Sequence, residues 1–78
     1  MPLIGVLNGM KIHVYYGDHL PPHIHVYYNE YHMIIVIESG KQYSGRLPVD
    51  KYKRINKWLY KNADWIKEVF YRFNPGLS

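Results

Sequence analysis

The side chains best suited to chemistry are concentrated in one short stretch, GDHLPPHIHVYY, at residues 17–28. It contains one carboxylate, Asp18, and three imidazoles, His19, His23 and His25. Imidazole titrates near neutral pH and is also a common metal ligand. The stretch therefore offers three interpretations: a metal site, an acid–base pair, or a proline-stiffened turn that happens to contain histidine.

A metal site would need ligands from more than one element. His23 and His25 are two apart on a predicted strand, which places their backbones about 7 Å apart with side chains on one face. Asp18, His19 or His13 would have to supply a third ligand, a set that suits zinc, nickel or iron. The chain has no cysteine and no helical His-Glu-x-x-His motif. Histidines on strands commonly pack as aromatic rings that form hydrogen bonds to tyrosine or to the backbone. The sequence therefore predicts no metal and no cofactor.

Acid–base chemistry needs two titratable groups beside a bound substrate. If the protein is an enzyme, we expect metal-independent, ribonuclease-like cleavage with His23 and His25 as acid and base, and Asp18 or His19 orienting one of them. Basic and aromatic neighbours would hold the nucleic acid, namely Lys11, His13, Tyr15 and Tyr27. The alternative is a non-enzymatic module in which the same surface only binds a protein or nucleic acid. Pro21 and Pro22 stiffen the loop under each interpretation.

Alternating apolar residues in the first half predict strands that must position these side chains. KIHVYY (11–16), HIHVYY (23–28) and YHMIIVIE (31–38) form three strands, Asn8-Gly9 predicts a hairpin after a leading strand at 3–7, and a short strand follows at about 42–45. A two-residue turn at Asn29-Glu30 pairs Tyr28 with Tyr31. Directly paired residues share a face, so His13, His23, His25 and His32 are expected opposite the apolar side.

The second half is predicted to be helical. An apolar stripe from Tyr52 to Phe73 has the spacing of an amphipathic helix, and Asn62 has the residue type of a helix cap. We expect one helix from about Pro48 to Lys61 and another from about Ala63 to Arg72. The fold class is therefore α+β: one domain over 1–78, with an antiparallel meander of three to five strands and two C-terminal helices on one face.

Composition limits the functional classes. The chain has 78 residues, a net charge of +4 and a pI near 9.4, which favours acidic partners such as nucleic acid. We find no secretory signal, and the longest apolar run is too short to span a membrane. The expected location is the cytoplasm. The candidate partners are RNA, a cognate antitoxin-like protein and a second copy of the chain, with no membrane.

The run from Gly9 to about Trp65 resembles a small bacterial family known as domain of unknown function number 4160. The shared motif comprises Gly9, Asp18, His19, Pro21, Pro22, His23, His25 and Val26, followed by Glu30-Tyr31 and Leu47-Pro48. The resemblance implies the toxin component of a toxin–antitoxin pair, and it favours Asp18, His19, His23 and His25 over His13 and His32. Asn29 and His32 depart from the family pattern and leave this face more basic.

Overall fold

A computed structural model describes residues 3–77 as a five-stranded antiparallel sheet followed by one long helix. The strands are β1 (Leu3–Leu7), β2 (Met10–His13), β3 (His23–Tyr28), β4 (Tyr31–Val36) and β5 (Gln42–Arg46). They lie side by side in chain order, so the sheet is the predicted meander. Helix α1 spans Val49–Phe73, and a 3₁₀ turn follows at Pro75–Leu77.

Tight turns set the register of the sheet. At the first hairpin Leu7 pairs with Met10, and both turn residues have positive φ, 49° at Asn8 and 81° at Gly9, as a hairpin turn with the right-handed strand twist requires. At the second, Tyr28 pairs with Tyr31 across Asn29-Glu30, as predicted. The two turns therefore fix which side chains share a face within β1–β2 and within β3–β4, and the pairing of Ile12 with Val26 aligns the two hairpins.

The core lies between one face of the sheet and α1. Its sheet side consists of Met10, Ile12, Val14, Ile24, Val26, Met33, Ile35 and Ile37. From α1 come Ile55, Leu59, Ile66 and Phe70, all at most 1% exposed, at the spacing of one helical face. One sheet face is thus covered by the helix and the other is left to the histidines and tyrosines.

The prediction of two helices is wrong, because α1 continues through Asn62 without interruption. Asn62 does not cap a new helix: its side-chain amide donates to the Trp58 carbonyl at 2.8 Å, and its oxygen accepts from the Trp65 indole at 2.8 Å. With its polar atoms bonded along the helix, Asn62 has no need to end it. The apolar stripe on both sides of Asn62 then packs as one face.

The loop between β2 and β3, residues 14–22, carries Asp18 and His19 and is longer than the other strand connections before β4. Its position is fixed by Asn74, just beyond α1. The Asn74 Oδ1 accepts from the Asp18 backbone N–H at 2.7 Å, and its amide donates to the carbonyls of Tyr15 and Phe70, each at 3.0 Å. The end of the helix thereby holds the loop in place.

Candidate functional site

A carboxylate and two imidazoles converge where the β2–β3 loop meets the start of β3. The Asp18 Oδ2 lies 2.8 Å from the Nε2 of His23 and 3.2 Å from the Nε2 of His25. These ligand-type atoms all lie within 4.8 Å of one another. We call Asp18, His23 and His25 the loop cluster.

The loop cluster is shielded from solvent. The side chain of His23 is 2% exposed, that of Asp18 13% and that of His25 14%. The ring of His23 also packs 5.6 Å from that of Phe70, measured between centroids. His23 was expected on the open face of the sheet, but it is buried. The β2–β3 loop and Phe70 of α1 cover the start of β3 at this point.

Hydrogen bonds define the proton positions on His23. Its Nδ1 lies 2.7 Å from the Pro21 carbonyl oxygen, which can only accept, so Nδ1 carries a proton. The Nε2 faces the carboxylate of Asp18, which also can only accept, so a proton or another cation must lie between the two atoms. The 2.8 Å approach between them lacks the direction of a hydrogen bond, and Nε2 has no hydrogen-bond partner.

Electrostatics in the loop cluster keep the carboxylate charged. Partial burial would raise the pKa of Asp18, but the hydrogen bond from the His19 backbone N–H and the adjacent His23 and His25 outweigh it, so the pKa lies below its usual value. Burial lowers the pKa of His25, which the hydrogen bond to Asp18 only partly offsets. Near neutral pH the cluster thus combines an anionic carboxylate with a neutral His25.

His19 stands apart from these three residues. Its side chain is 63% exposed, and its Nε2 lies 3.8 Å from the Asp18 Oδ1. Its Nδ1 lies 3.1 Å from the Leu20 carbonyl oxygen. His19 is therefore a solvent-facing neighbour at the rim.

The middle of the helix-free face has a different character. Register places one residue from each of four strands in a line, because Lys11 pairs with Tyr27, Tyr27 with His32 and His32 with Arg46. The rings of Tyr27 and His32 are stacked, 4.3 Å between centroids and 5° from parallel. We call Lys11, Tyr27, His32 and Arg46 the cross-strand row.

Tyr15 and His13 border the cross-strand row. The hydroxyls of Tyr15 and Tyr27 lie 2.7 Å apart, and burial together with this hydrogen bond raises the pKa of Tyr15 to about 12. Lys11, Tyr15 and Tyr27 line an open groove with Leu3 and His13. His13 is only 8% exposed beneath the two tyrosine rings, so it forms the floor of this groove rather than a protruding contact.

Two contributors were missed by the sequence analysis. Asn74 has no place in the site predicted from the sequence, because its role depends on a contact with Asp18, 56 residues earlier in the chain. Arg46 joins the cross-strand row only through the pairing of β4 with β5, whose register shifts between Ile34 and Ile35. The signal for Arg46 was its position one residue beyond the predicted fifth strand.

The fold and the loop cluster define a small α+β domain in which a meander sheet presents a histidine–carboxylate group at the start of its central strand. A family model described as Domain of unknown function (DUF4160) matches residues 9–70, so the chain belongs to that family. The matched region contains the whole loop cluster, and the family resemblance is confirmed. No curated protein and no solved structure matches the chain. No helix within residues 3–77 is long and apolar enough to cross a bilayer.

Proposed function

We propose that this protein binds single-stranded RNA across the helix-free face of its sheet. The cross-strand row carries the proposal, because it places two stacked rings between two exposed cations. Bases stack on aromatic side chains of open sheets, and flanking lysine and arginine neutralise phosphates. Strands lie about 4.8 Å apart, so Lys11 and Arg46 are separated by about 14 Å, room for more than one nucleotide between them.

The net charge of +4 supports an anionic partner, but charge alone does not select this face. Lys57 and Lys61 are also exposed, on the opposite side of the molecule on α1. What distinguishes the cross-strand row is the combination of cations with stacked rings in register. We therefore expect RNA to bind at the cross-strand row and not over the whole basic surface of the protein.

Within this proposal the protein is the toxin of a cytoplasmic toxin–antitoxin pair, as the family resemblance implies, and the loop cluster acts on the bound strand. Of the three candidate catalytic histidines, His23 is buried, His25 is 14% exposed and His19 is 63% exposed, so acid–base cleavage would depend on His25 and His19. A cognate antitoxin would act by covering the helix-free face. Induction in a bacterial host should arrest growth, and unimpaired growth would contradict the toxin role while leaving RNA binding to its own test.

A non-enzymatic protein-binding module is the second candidate. Leu3 and Val6 are exposed on β1. This is an edge strand, and within residues 3–77 it pairs with β2 on one side and with no strand on the other. Such an edge can accept a strand from a partner. Under this candidate, protein binding would be lost when β1 is altered and RNA affinity would be negligible.

Fluorescence anisotropy with a labelled single-stranded RNA of mixed sequence tests the RNA proposal. The Lys11→Ala, Arg46→Ala double variant should bind more weakly, and its slope of log affinity against log salt should fall by about 1.4, since each lost phosphate contact on a single strand contributes about 0.7. The matched control is Lys57→Ala, Lys61→Ala, which removes the same charge from α1. Equal losses in both double variants would contradict the assignment to the helix-free face.

A further inference from the structure

We propose that Asp18, His23 and His25 form a binding site for a divalent transition-metal ion of the zinc type. This inference goes beyond RNA binding and does not depend on it. It departs from the sequence-based expectation of no metal, because the fold brings together three ligand atoms that the sequence could place only on neighbouring elements.

The distances in the loop cluster suit one shared ion. Ligand atoms bound to Zn²⁺ at about 2.0–2.2 Å lie about 3 Å apart at right angles and about 3.3 Å apart in a tetrahedron. The Asp18 Oδ2 lies 2.8 Å and 3.2 Å from the two imidazole Nε2 atoms. All three ligand atoms lie within 4.8 Å of one another, so the two imidazoles must move closer together for all three atoms to surround one ion.

The unpartnered Nε2 of His23 is the independent observation. This atom is buried, lacks a hydrogen bond, and faces a carboxylate oxygen that also cannot donate. An imidazole nitrogen and a carboxylate oxygen at this distance are stable only with a positive charge between them, which either a proton or a metal ion can supply. A cation between the imidazole and the carboxylate would satisfy both groups.

The surrounding hydrogen bonds match those of metal-bound histidines, which usually donate their other ring N–H to a carbonyl or a similar acceptor. His23 donates its Nδ1–H to the Pro21 carbonyl, which leaves Nε2 for the metal. In the ion-free protein the Nε2–H of His25 donates to Asp18. The Nδ1 lies 3.2 Å from the Nε2 of His32, so the other tautomer can donate there and leave Nε2 for the metal. Asp18 is held in place through its backbone by Asn74.

Three protein ligands leave a coordination position open. Structural zinc sites are usually closed by four protein ligands, whereas catalytic sites keep one position for water or substrate. The rim of the loop cluster faces solvent beside the exposed His19. The class of ion is therefore a Lewis-acidic transition metal with an exchangeable position, for which imidazole and carboxylate are suitable ligands.

Titration of the metal-stripped protein, made without a polyhistidine tag, tests the site in the absence of RNA. We expect Zn²⁺ to bind with one equivalent by calorimetry, and Co²⁺ to give visible absorption that Zn²⁺ removes. The variants Asp18→Asn and His25→Gln should each lower affinity by more than about 100-fold, since even loss of an outer hydrogen-bonding partner costs roughly 10- to 100-fold. Both replacements are close in size to the native side chains, and circular dichroism checks that they fold.

The matched control is His13→Gln, which removes a buried histidine from the same sheet face but outside the loop cluster. It should keep wild-type affinity and stoichiometry. Absence of binding to folded wild-type protein would overturn the site. Wild-type affinity in both Asp18→Asn and His25→Gln would do so as well, because the ion would then be adventitious. Neither result would bear on RNA binding, which is measured in separate samples containing a chelator.

Discussion

The loop cluster and the cross-strand row lie on the same sheet and are both rich in histidine, yet their surroundings differ sharply. In the loop cluster, His23 is 2% exposed, held by a backbone carbonyl and packed against Phe70. In the cross-strand row, His32 is exposed and stacked on Tyr27. One histidine is fixed and shielded, and the other is open to a partner.

The contrast shows that histidines on the same sheet differ in the ligand they suit because they differ in burial. A buried imidazole with one bonded nitrogen suits an ion, because its remaining lone pair is already oriented. An exposed ring on an open sheet suits stacking with a flat partner. Four sets of variants test whether the two regions are as separate as their geometry indicates.

The largest difference should be in folding stability. Replacement of His23 by alanine removes a buried ring and its hydrogen bond to Pro21, and should lower the free energy of unfolding by about 2–4 kcal/mol. The control His32→Ala removes an exposed ring and should change it by about 0.5 kcal/mol or less. Urea denaturation with a chelator present measures both. Similar losses would contradict the contrast in burial.

Asn74 should be nearly as important, because its buried side chain connects α1 to the loop cluster. Asn74→Ala leaves the backbone groups of Asp18, Tyr15 and Phe70 without this partner and should destabilise the protein by about 2–3 kcal/mol. The comparison is Asn62→Ala, on the partly exposed side of α1, for which about 1 kcal/mol is expected. Hydrogen exchange at the Asp18 amide should accelerate in Asn74→Ala only; unchanged protection would refute the link.

Much of the fold could be predicted from the sequence, because local turn chemistry determines the register. Asn8-Gly9 and Asn29-Glu30 each close a two-residue hairpin, and alternation then assigns the core face. Alternation likewise predicts that Lys11 and His13 share a face with Tyr27 and His25, whereas the exact pairs across the long loop are found only in the structure. These features depend on neighbours in sequence or on a hydrophobic pattern that permits one register.

The features that were not predicted depend on long-range contacts. The burial of His23 comes from packing against Phe70, 47 positions later in the chain. The restraint on Asp18 comes from Asn74, and the continuity of α1 comes from hydrogen bonds that Asn62 makes along the helix. Residue type did not reveal these partners, so the loop cluster could be suspected but not assembled.

A smaller effect is expected for RNA affinity at Tyr27. Tyr27→Ala removes a stacking ring and should weaken binding roughly 5- to 150-fold, the equivalent of about 1–3 kcal/mol per stacked base. Tyr27→Phe keeps the ring and loses only the hydroxyl contact with Tyr15, so it should bind close to wild type. Anisotropy titrations compare the two, and equal weakening would argue against stacking.

The smallest effect should come from His32, which belongs to the cross-strand row but also contacts His25. Replacing it by phenylalanine retains a stacking ring and removes the nitrogen that would accept from the His25 Nδ1 in the metal-bound form. Zn²⁺ affinity should fall about 10-fold, as for other outer partners of metal-bound histidines, while RNA affinity should change little. Calorimetry and anisotropy on the same preparation separate the two, and unaltered Zn²⁺ affinity would contradict the coupling.

The most direct test of the division between the two regions is a two-dimensional ¹H–¹⁵N NMR experiment on one sample, titrated first with Zn²⁺ and then with single-stranded RNA. We predict that Zn²⁺ shifts the signals of Asp18, His23 and His25, and that RNA shifts those of Lys11, Tyr27 and Arg46. The signal of His32, which contacts both regions, should respond to both ligands. Signals from Lys57 and Lys61 should stay in place throughout. Shifts of one common set of residues by both ligands, or shifts confined to α1, would contradict the account.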